Sequence, residues 1–258
     1  MNIIYQENCL DTMSREELQN QVDIIVTSPP YNTSRVGASD KYSSRYDQYQ
    51  DKMSDQDYCD WTVRIFEGYD KVLKKDGCIL YNLSYSSENT QLIWLVISDI
   101  IKRTNFTTAD TIVWKKSNAI PNNVSKNKLT RIVEYIFVFA RKKELKTFNA
   151  NKKITGRIER TGQANYENIY NFIEARNNDG SNQLNKATFS TELVKKLLTI
   201  YAPQNSLVYD NFIGIGTTAK ACLEMGLNYV GSEISQGQVD HFLDWKKNWD
   251  NEQDKRTT

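Results

Sequence analysis

Residues 22–32 read Val-Asp-Ile-Ile-Val-Thr-Ser-Pro-Pro-Tyr-Asn. The β-branched run from Val22 to Val26 fits a buried strand. Two consecutive prolines then stop it, because neither can donate to a ladder and both fix φ. The chain therefore has to leave the sheet at Ser28. There it presents a small hydroxyl, the carbonyls of Ser28 and Pro29 and the ring of Tyr31. Such a set can accept the two protons of a planar amino group while stacking a flat ring, and a nucleobase with an exocyclic amine is such a ring. A Pro-Pro after a strand can also be a plain turn, so the tetrapeptide alone does not make a site.

A second motif bears on that choice. Residues 206–218, Ser-Leu-Val-Tyr-Asp-Asn-Phe-Ile-Gly-Ile-Gly-Thr-Thr, are an apolar strand running into a Gly-x-Gly turn, with a helical stretch expected from Ala219 to Met225. Glycines let the backbone pass close to a ligand, and the turn opens a helix N-terminus. After a further short strand, Tyr229 to Gly231, comes Glu233, whose carboxylate could accept from ribose hydroxyls. A nicotinamide-dependent oxidoreductase could use the same turn and acid. It would have Ala219 where its third glycine belongs, and no use for the Ser-Pro-Pro-Tyr segment.

With 258 residues, 39% of them hydrophobic and 25% charged, the chain can bury a substantial α/β core. No apolar run approaches the length of a membrane span, and Met1-Asn2-Ile3 lacks the basic start of a signal peptide, so a cytoplasmic location without membrane contact is expected. Cys9, Cys59, Cys78 and Cys222 are scattered, and the single His241 has no ligand-like neighbours, so neither metal nor disulfide is expected. The net charge of +1 hides an asymmetry. From Lys115 to Arg160 there are thirteen Lys or Arg against three acids, while the remaining twenty basic residues face twenty-nine acids. Such a segment is either a solvated face or a phosphate-binding surface.

Periodicity predicts strands at Asn2–Tyr5, Cys78–Leu83, Thr107–Trp114 and Arg131–Arg141, the last two as an antiparallel pair. Helices are expected over Ser14–Gln21, with Ser14 and Glu17 as a capping box, from Ser54 to about Val72, and over Asn89–Arg103, Thr191–Tyr201 and Gln236–Trp249. The polar stretch from Asn32 to Asp55, with Gly37, Tyr42, Tyr46 and Tyr49, reads as a long loop, either functional or plain surface. Lys142 to Asn185 reads as the least regular part, and the charged last residues as frayed.

Ser-Pro-Pro-Tyr resembles the catalytic motif of the DNA methyltransferases that modify an exocyclic amino nitrogen. Further elements agree: Trp114-Lys115-Lys116, the apolar strand after Glu134, and Asn185-Lys186-Ala187-Thr188-Phe189-Ser190, which is similar to a His-x-Ala-x-Phe-Pro element. The catalytic motif precedes the cofactor turn, the order of the beta class. Three elements depart from the family pattern: Glu7-Asn8 stands for Gly-Asp, Asn211 for the proline of Asp-Pro-Phe, and Asn185 and Ser190 for the ends of the phenylalanine element.

The resemblance implies a doubly wound, mostly parallel α/β sheet with an antiparallel end hairpin, the S-adenosylmethionine-dependent methyltransferase fold. It implies one domain over 1–258, with a catalytic half at 1–141, a target-recognition insertion at 142–184 and a cofactor half at 185–258. Ser28, Pro29, Pro30 and Tyr31 would be catalytic. Asn8, Cys9, Phe189, Asp210, Phe212, Gly214, Gly216, Thr217, Thr218 and Glu233 would bind S-adenosylmethionine. Lys115, Lys116, Lys126, Lys128, Arg131, Arg157 and Arg160 would hold double-stranded DNA. The serine before Pro-Pro-Tyr points to N4 of cytosine, with N6 of adenine as the alternative; a silent DNA-binding relative remains a further reading, given Asn8 and Asn211. A cognate restriction endonuclease and a homodimer complete the implied partners.

Overall fold

The computed structural model of the chain describes residues 1–32, 53–85, 89–119, 126–148, 150–180 and 188–257. The strands are β1 (Asn2–Gln6), β2 (Val22–Thr27), β3 (Leu73–Leu83), β4 (Phe106–Lys116), β5 (Val133–Arg141), β6 (Ile154–Arg157), β7 (Ala164–Tyr166), β8 (Phe172–Ala175), β9 (Leu207–Asp210) and β10 (Asn228–Glu233). The helices are α1 (Cys9–Thr12), α2 (Asp55–Val72), α3 (Leu92–Arg103), α4 (Thr191–Tyr201), α5 (Thr217–Glu224) and α6 (Gln236–Thr257).

Eight of the described strands form one sheet in the order β1-β10-β9-β2-β3-β5-β4-β8. β5 alone runs against the others, pairing antiparallel with both β3 and β4. β8, from the stretch that reads as irregular in the sequence, adds beyond β4 in parallel as the edge strand. β6 and β7 form a separate antiparallel hairpin.

Alternation along the strands divides the core into two layers, because successive side chains leave opposite faces. Ile25, Ile79, Tyr81, Phe137, Phe139 and Tyr209 enter one cluster, which α2 and α3 cover with Tyr58, Phe66, Tyr69, Ile93 and Ile97. Ile24, Val26, Cys78, Leu80, Ile136, Val138 and Val208 enter the other, covered by Leu193 and Leu197 of α4, Ala219 and Cys222 of α5, and Phe242 of α6. Helices on both faces of a mostly parallel sheet are the doubly wound arrangement, and it places the strand carboxyl ends of β1, β10, β9, β2 and β3 along one rim.

Two local expectations change. No helix runs from Ser14 to Gln21. The helix there is the single turn α1, capped by Asn8, whose Oδ1 accepts from the Leu10 N–H at 3.0 Å, followed by a 3₁₀ turn at Glu16–Leu18. The Ser14 hydroxyl donates to the Asp11 carbonyl instead of capping. Asn20, at φ 55°, and Gln21 are drawn out to donate to the carbonyls of Lys71 and Val72, which ends any helix. At the other terminus, α6 continues to Thr257 rather than fraying at its charged end. Trp245 stacks on Phe242 and Trp249, at 5.9 and 5.4 Å, and Lys246 pairs with Asp250 one turn on. The loop expected over Asn32–Asp55 lies almost wholly outside the described residues, as do Pro121, Asn122 and residues 185–187. Its two ends are visible: the Asn32 side chain both donates to the Met53 carbonyl (2.8 Å) and accepts from its N–H (2.9 Å).

Candidate active site

β2 and β9 are neighbours in the sheet, so Thr27 and Asp210 leave it side by side. The Asp210 carboxylate accepts from the Thr27 hydroxyl at 2.8 Å, the Thr218 hydroxyl at 2.5 Å and the Phe212 N–H at 3.1 Å. One buried acid thus staples the Ser-Pro-Pro-Tyr exit to the glycine turn, across 183 residues of sequence. Burial pushes its pKa up to about 6, against the three hydrogen bonds, which pull it down.

Past Thr27 the chain turns away. Tyr58 of α2 donates to the Pro30 carbonyl at 2.6 Å. The carbonyls of Ser28 and Pro29 take no hydrogen bond from a described residue. Ser28 Oγ lies 3.0 Å from the Tyr31 hydroxyl, which in turn lies 2.9 Å from Asn82 Oδ1 and 3.0 Å from Glu134 Oε2. Glu134 Oε1 pairs with Lys116 Nζ at 2.5 Å. The Lys116 ammonium also sits 5.1 Å from the centre of the Trp114 ring. β2, β3, β4 and β5 each contribute to this polar cluster at the same rim of the sheet.

The glycine turn opens α5. Gly214 and Gly216 have φ of 56° and 81°, a region that only glycine occupies without strain. A Cβ at Gly216 would come 2.1 Å from the Phe242 ring, so that glycine is demanded by packing as well as by conformation. Glu233, at the end of β10, accepts from the N–H groups of Gly214 and Ser235, both at 2.9 Å, which fixes its carboxylate beside the turn. Thr217 is buried at the first position of α5. Phe212 and Trp61 pack with their rings tilted at 5.5 Å, and Trp61 lies 5.5 Å from Tyr58, forming an aromatic wall between the turn and Pro30. Phe189 is buried in the core layer under α4. Asn8 is exposed at the end of β1, adjacent to β10. Cys9 is buried, and burial pushes its thiol up to about 11 although the Asn211 amide beside it acts the other way. Glu7 accepts twice from Arg15, at 2.8 Å, and from Thr12, so its carboxylate is committed within the fold and held below the usual range by Arg15.

The chain is similar in sequence and in fold to known proteins. A family model for DNA methylase, covering N6 and N4 enzymes, matches residues 22–244. The chain belongs to this DNA methylase family. Among curated relatives, it is 25% identical over 258 residues to the type II methyltransferase M.BglII of Bacillus subtilis, covering 93% of this chain and 67% of that one. It is 24% identical to the type II methyltransferase M2.MboI of Moraxella bovis, covering 89% and 82%. In fold it is similar to the cytosine-N4-specific PvuII DNA methyltransferase, with a TM-score of 0.71 at 17% identity over 94% of this chain and 85% of that one. It is similar too to M1.HpyAVI in complex with S-adenosylmethionine, at a TM-score of 0.60, 20% identity and coverage of 95% and 99%.

In this DNA methylase the basic residues fall into two groups. Lys115 pairs with Glu174 across β4 and β8 at 3.0 Å, and Lys116 with Glu134 in the polar cluster. Lys126, Lys128 and Arg131 are exposed on the approach to β5; Arg131 donates to the Tyr85 carbonyl and lies over its ring, near the carboxyl end of β3. Arg157 and Arg160 are on the exposed β6–β7 hairpin, where Arg157 donates to the Gly162 carbonyl at 2.9 Å. No contact given for the described residues joins this hairpin to Ser28. Side chains outside the motifs also contact these residues: Thr27 at the staple, Tyr58 on Pro30, and Asn82 on Tyr31, where Glu134, the residue before a matching strand, joins it. Tyr58 has the spacing of a core residue and is one, and only its terminal oxygen works at the site. No helix among the described residues is long and apolar enough to cross a membrane.

Proposed function

We propose that this methylase transfers the methyl group of S-adenosylmethionine to N4 of a cytosine flipped out of double-stranded DNA, within a restriction-modification system. The observation that carries the reading is the set of acceptors at the exit of β2. Among the described residues the Pro30 carbonyl is taken by Tyr58, whereas the carbonyls of Ser28 and Pro29 accept from none, and the Ser28 hydroxyl donates to Tyr31, which leaves its own lone pairs to accept. An exocyclic amine brings two N–H donors to that place. Accepting both favours a pyramidal nitrogen whose lone pair, otherwise delocalised into the ring, is aimed at the methyl group. Ser28 needs no general base for this, and among the described residues no histidine or aspartate bonds it.

The donor and acceptor set fits the cofactor. The Glu233 carboxylate, oriented by the turn, suits ribose hydroxyls; Asn8, just past the end of the adjacent strand β1, suits the adenine amine; the backbone of Gly214 to Gly216 allows close approach. S-adenosylmethionine, when bound, supplies an electrophilic methyl group on a sulfonium. The ring of Tyr31 would stack the flipped base, worth about 1–3 kcal/mol against an unstacking cost of a few kcal/mol. Arg131, Arg157 and Arg160 would hold phosphates or base edges, with 142–184 as the recognition segment.

The test is mass spectrometry of nucleosides digested from DNA treated with the protein and S-adenosylmethionine, with Tyr31→Ala as control. The expected product is 4-methylcytosine. 6-Methyladenine would replace the base but keep the reaction, and neither product on DNA of diverse sequence would sink the reading.

A further inference from the structure

The polar cluster behind Tyr31 has a direction. The carboxylate of Glu134 can only accept, and Lys116, a donor only, is paired with its Oε1 at 2.5 Å. Asn82 spends its Nδ2 on Glu134 Oε2, at 3.3 Å, and on the Tyr135 carbonyl, at 3.1 Å, which turns its Oδ1 toward Tyr31. Both groups on that side of the Tyr31 hydroxyl are therefore acceptors, and its single proton is directed to them. The phenolic oxygen is left to accept, and among the described residues Ser28 is placed to donate to it, at 3.0 Å. Asn82 is 4% exposed, and the Lys116 and Glu134 side chains are 18% and 14% exposed, so water competes little for these bonds.

We propose that Glu134, anchored by Lys116 and assisted by Asn82, is a positioning residue that orders the hydroxyls of Tyr31 and Ser28 head to tail, so that Ser28 is presented to the target amine as an acceptor. This rests on the function proposed above. The Ser28 proton points inward along the chain, and its lone pairs face the two N–H groups of the base. Tyr31 accordingly has two tasks, with its ring for the base and its hydroxyl for Ser28. A hydroxyl free to rotate would spend part of its time offering a proton to a nitrogen whose lone pair is delocalised into the ring or aimed at the methyl group, and transfer would slow without any change in binding.

The experiment is a double-mutant cycle on Tyr31→Phe and Glu134→Gln, read as kcat, KM for DNA and the calorimetric affinity for S-adenosylmethionine. Tyr31→Phe keeps the ring and removes the link; Glu134→Gln can present an amide N–H and reverse the chain. Each single change is expected to lower kcat about tenfold, with KM and cofactor affinity within about twofold of wild type, and the double variant to be no slower than the slower single one. Losses that multiply, a wild-type kcat for Tyr31→Phe, or a change confined to KM would overturn the relay. Should Glu134→Gln not fold, the kcat of Tyr31→Phe decides alone. The wild type is assayed first: if it transfers no methyl group to DNA, the proposed function fails and takes the relay with it, whereas an active wild type with multiplying losses fails the relay only.

Discussion

At the scale of single residues, Asp210 and Asn211 show how much the site depends on buried polar atoms. Asp210 has a folded-state pKa raised to about 6 by burial, above the ordinary carboxylate value. The native state therefore binds this proton more tightly than the unfolded chain. The stability it contributes is fully present below about pH 4 and is lost as pH rises through about 6, an effect of about 3 kcal/mol at most. Denaturant melts of wild type and Asp210→Asn should accordingly diverge in favour of wild type as pH falls from 7 to 5; a gap independent of pH would count against it. Asn211 occupies a position where the family carries proline, and its Oδ1 accepts from the buried Tyr69 hydroxyl at 2.6 Å. Asn211→Ala strands that hydroxyl and should cost about 1–3 kcal/mol. Tyr69→Phe in the same chain should recover part of the loss, and a purely additive pair would show that the bond contributes nothing.

At the scale of elements, positions with positive φ hold the site in register. Asn32, at φ 49°, bonds Met53 twice and so closes the base of the long segment between them. Both Asn32→Gly and Asn32→Ala lose those bonds, but alanine also pays for the left-handed backbone, so it should be the less stable by about 1 kcal/mol. Thermal melting of the two variants side by side measures the difference. Gly216 is tighter, since any Cβ meets Phe242 of α6. Gly216→Ala is expected to cost more than about 2 kcal/mol. It should weaken cofactor binding as well, because the turn and α6 must move together. An unchanged melting temperature would mean that the turn relaxes freely.

At the scale of the whole molecule, charge is divided rather than balanced. The segment from Lys115 to Arg160 carries the basic excess, and the structure distributes it over the rim near Glu134, the far end of β5, where Arg141 pairs with Asp70, and the β6–β7 hairpin. If the hairpin meets phosphates, replacing Arg157 and Arg160 by alanine should weaken DNA binding on every sequence and flatten the salt dependence by about 0.9 per lost contact in log–log slope. Binding isotherms at several salt concentrations test this, and an unchanged slope would remove the hairpin from the DNA interface.

The strands, the stop at Pro29-Pro30, the glycine turn and the acid at 233 were legible in the sequence because each is a local matter of periodicity, backbone restriction or spacing. The same local reasoning misplaced a helix at Ser14–Gln21, where Ser14 and Glu17 have capping-box spacing but the chain is pulled toward Lys71 and Val72. It also passed over β6, β7 and β8, all within the stretch read as irregular; the four residues of β8 gain strand character only from β4 beside them. At the site, the residue types facing a base and a cofactor could be read from Ser28, Tyr31 and Glu233. What could not be read was which side chains act on those residues. Thr27 on Asp210, Tyr58 on Pro30 and Glu134 on Tyr31 are separated by 183, 28 and 103 positions, and only the sheet order and the packing of α2 against the sheet bring them within hydrogen-bond reach. The sequence by itself determined the chemistry on offer and where the chain must turn. The tertiary structure decided the direction of each hydrogen bond, because that depends on neighbours that only the packed sheet supplies.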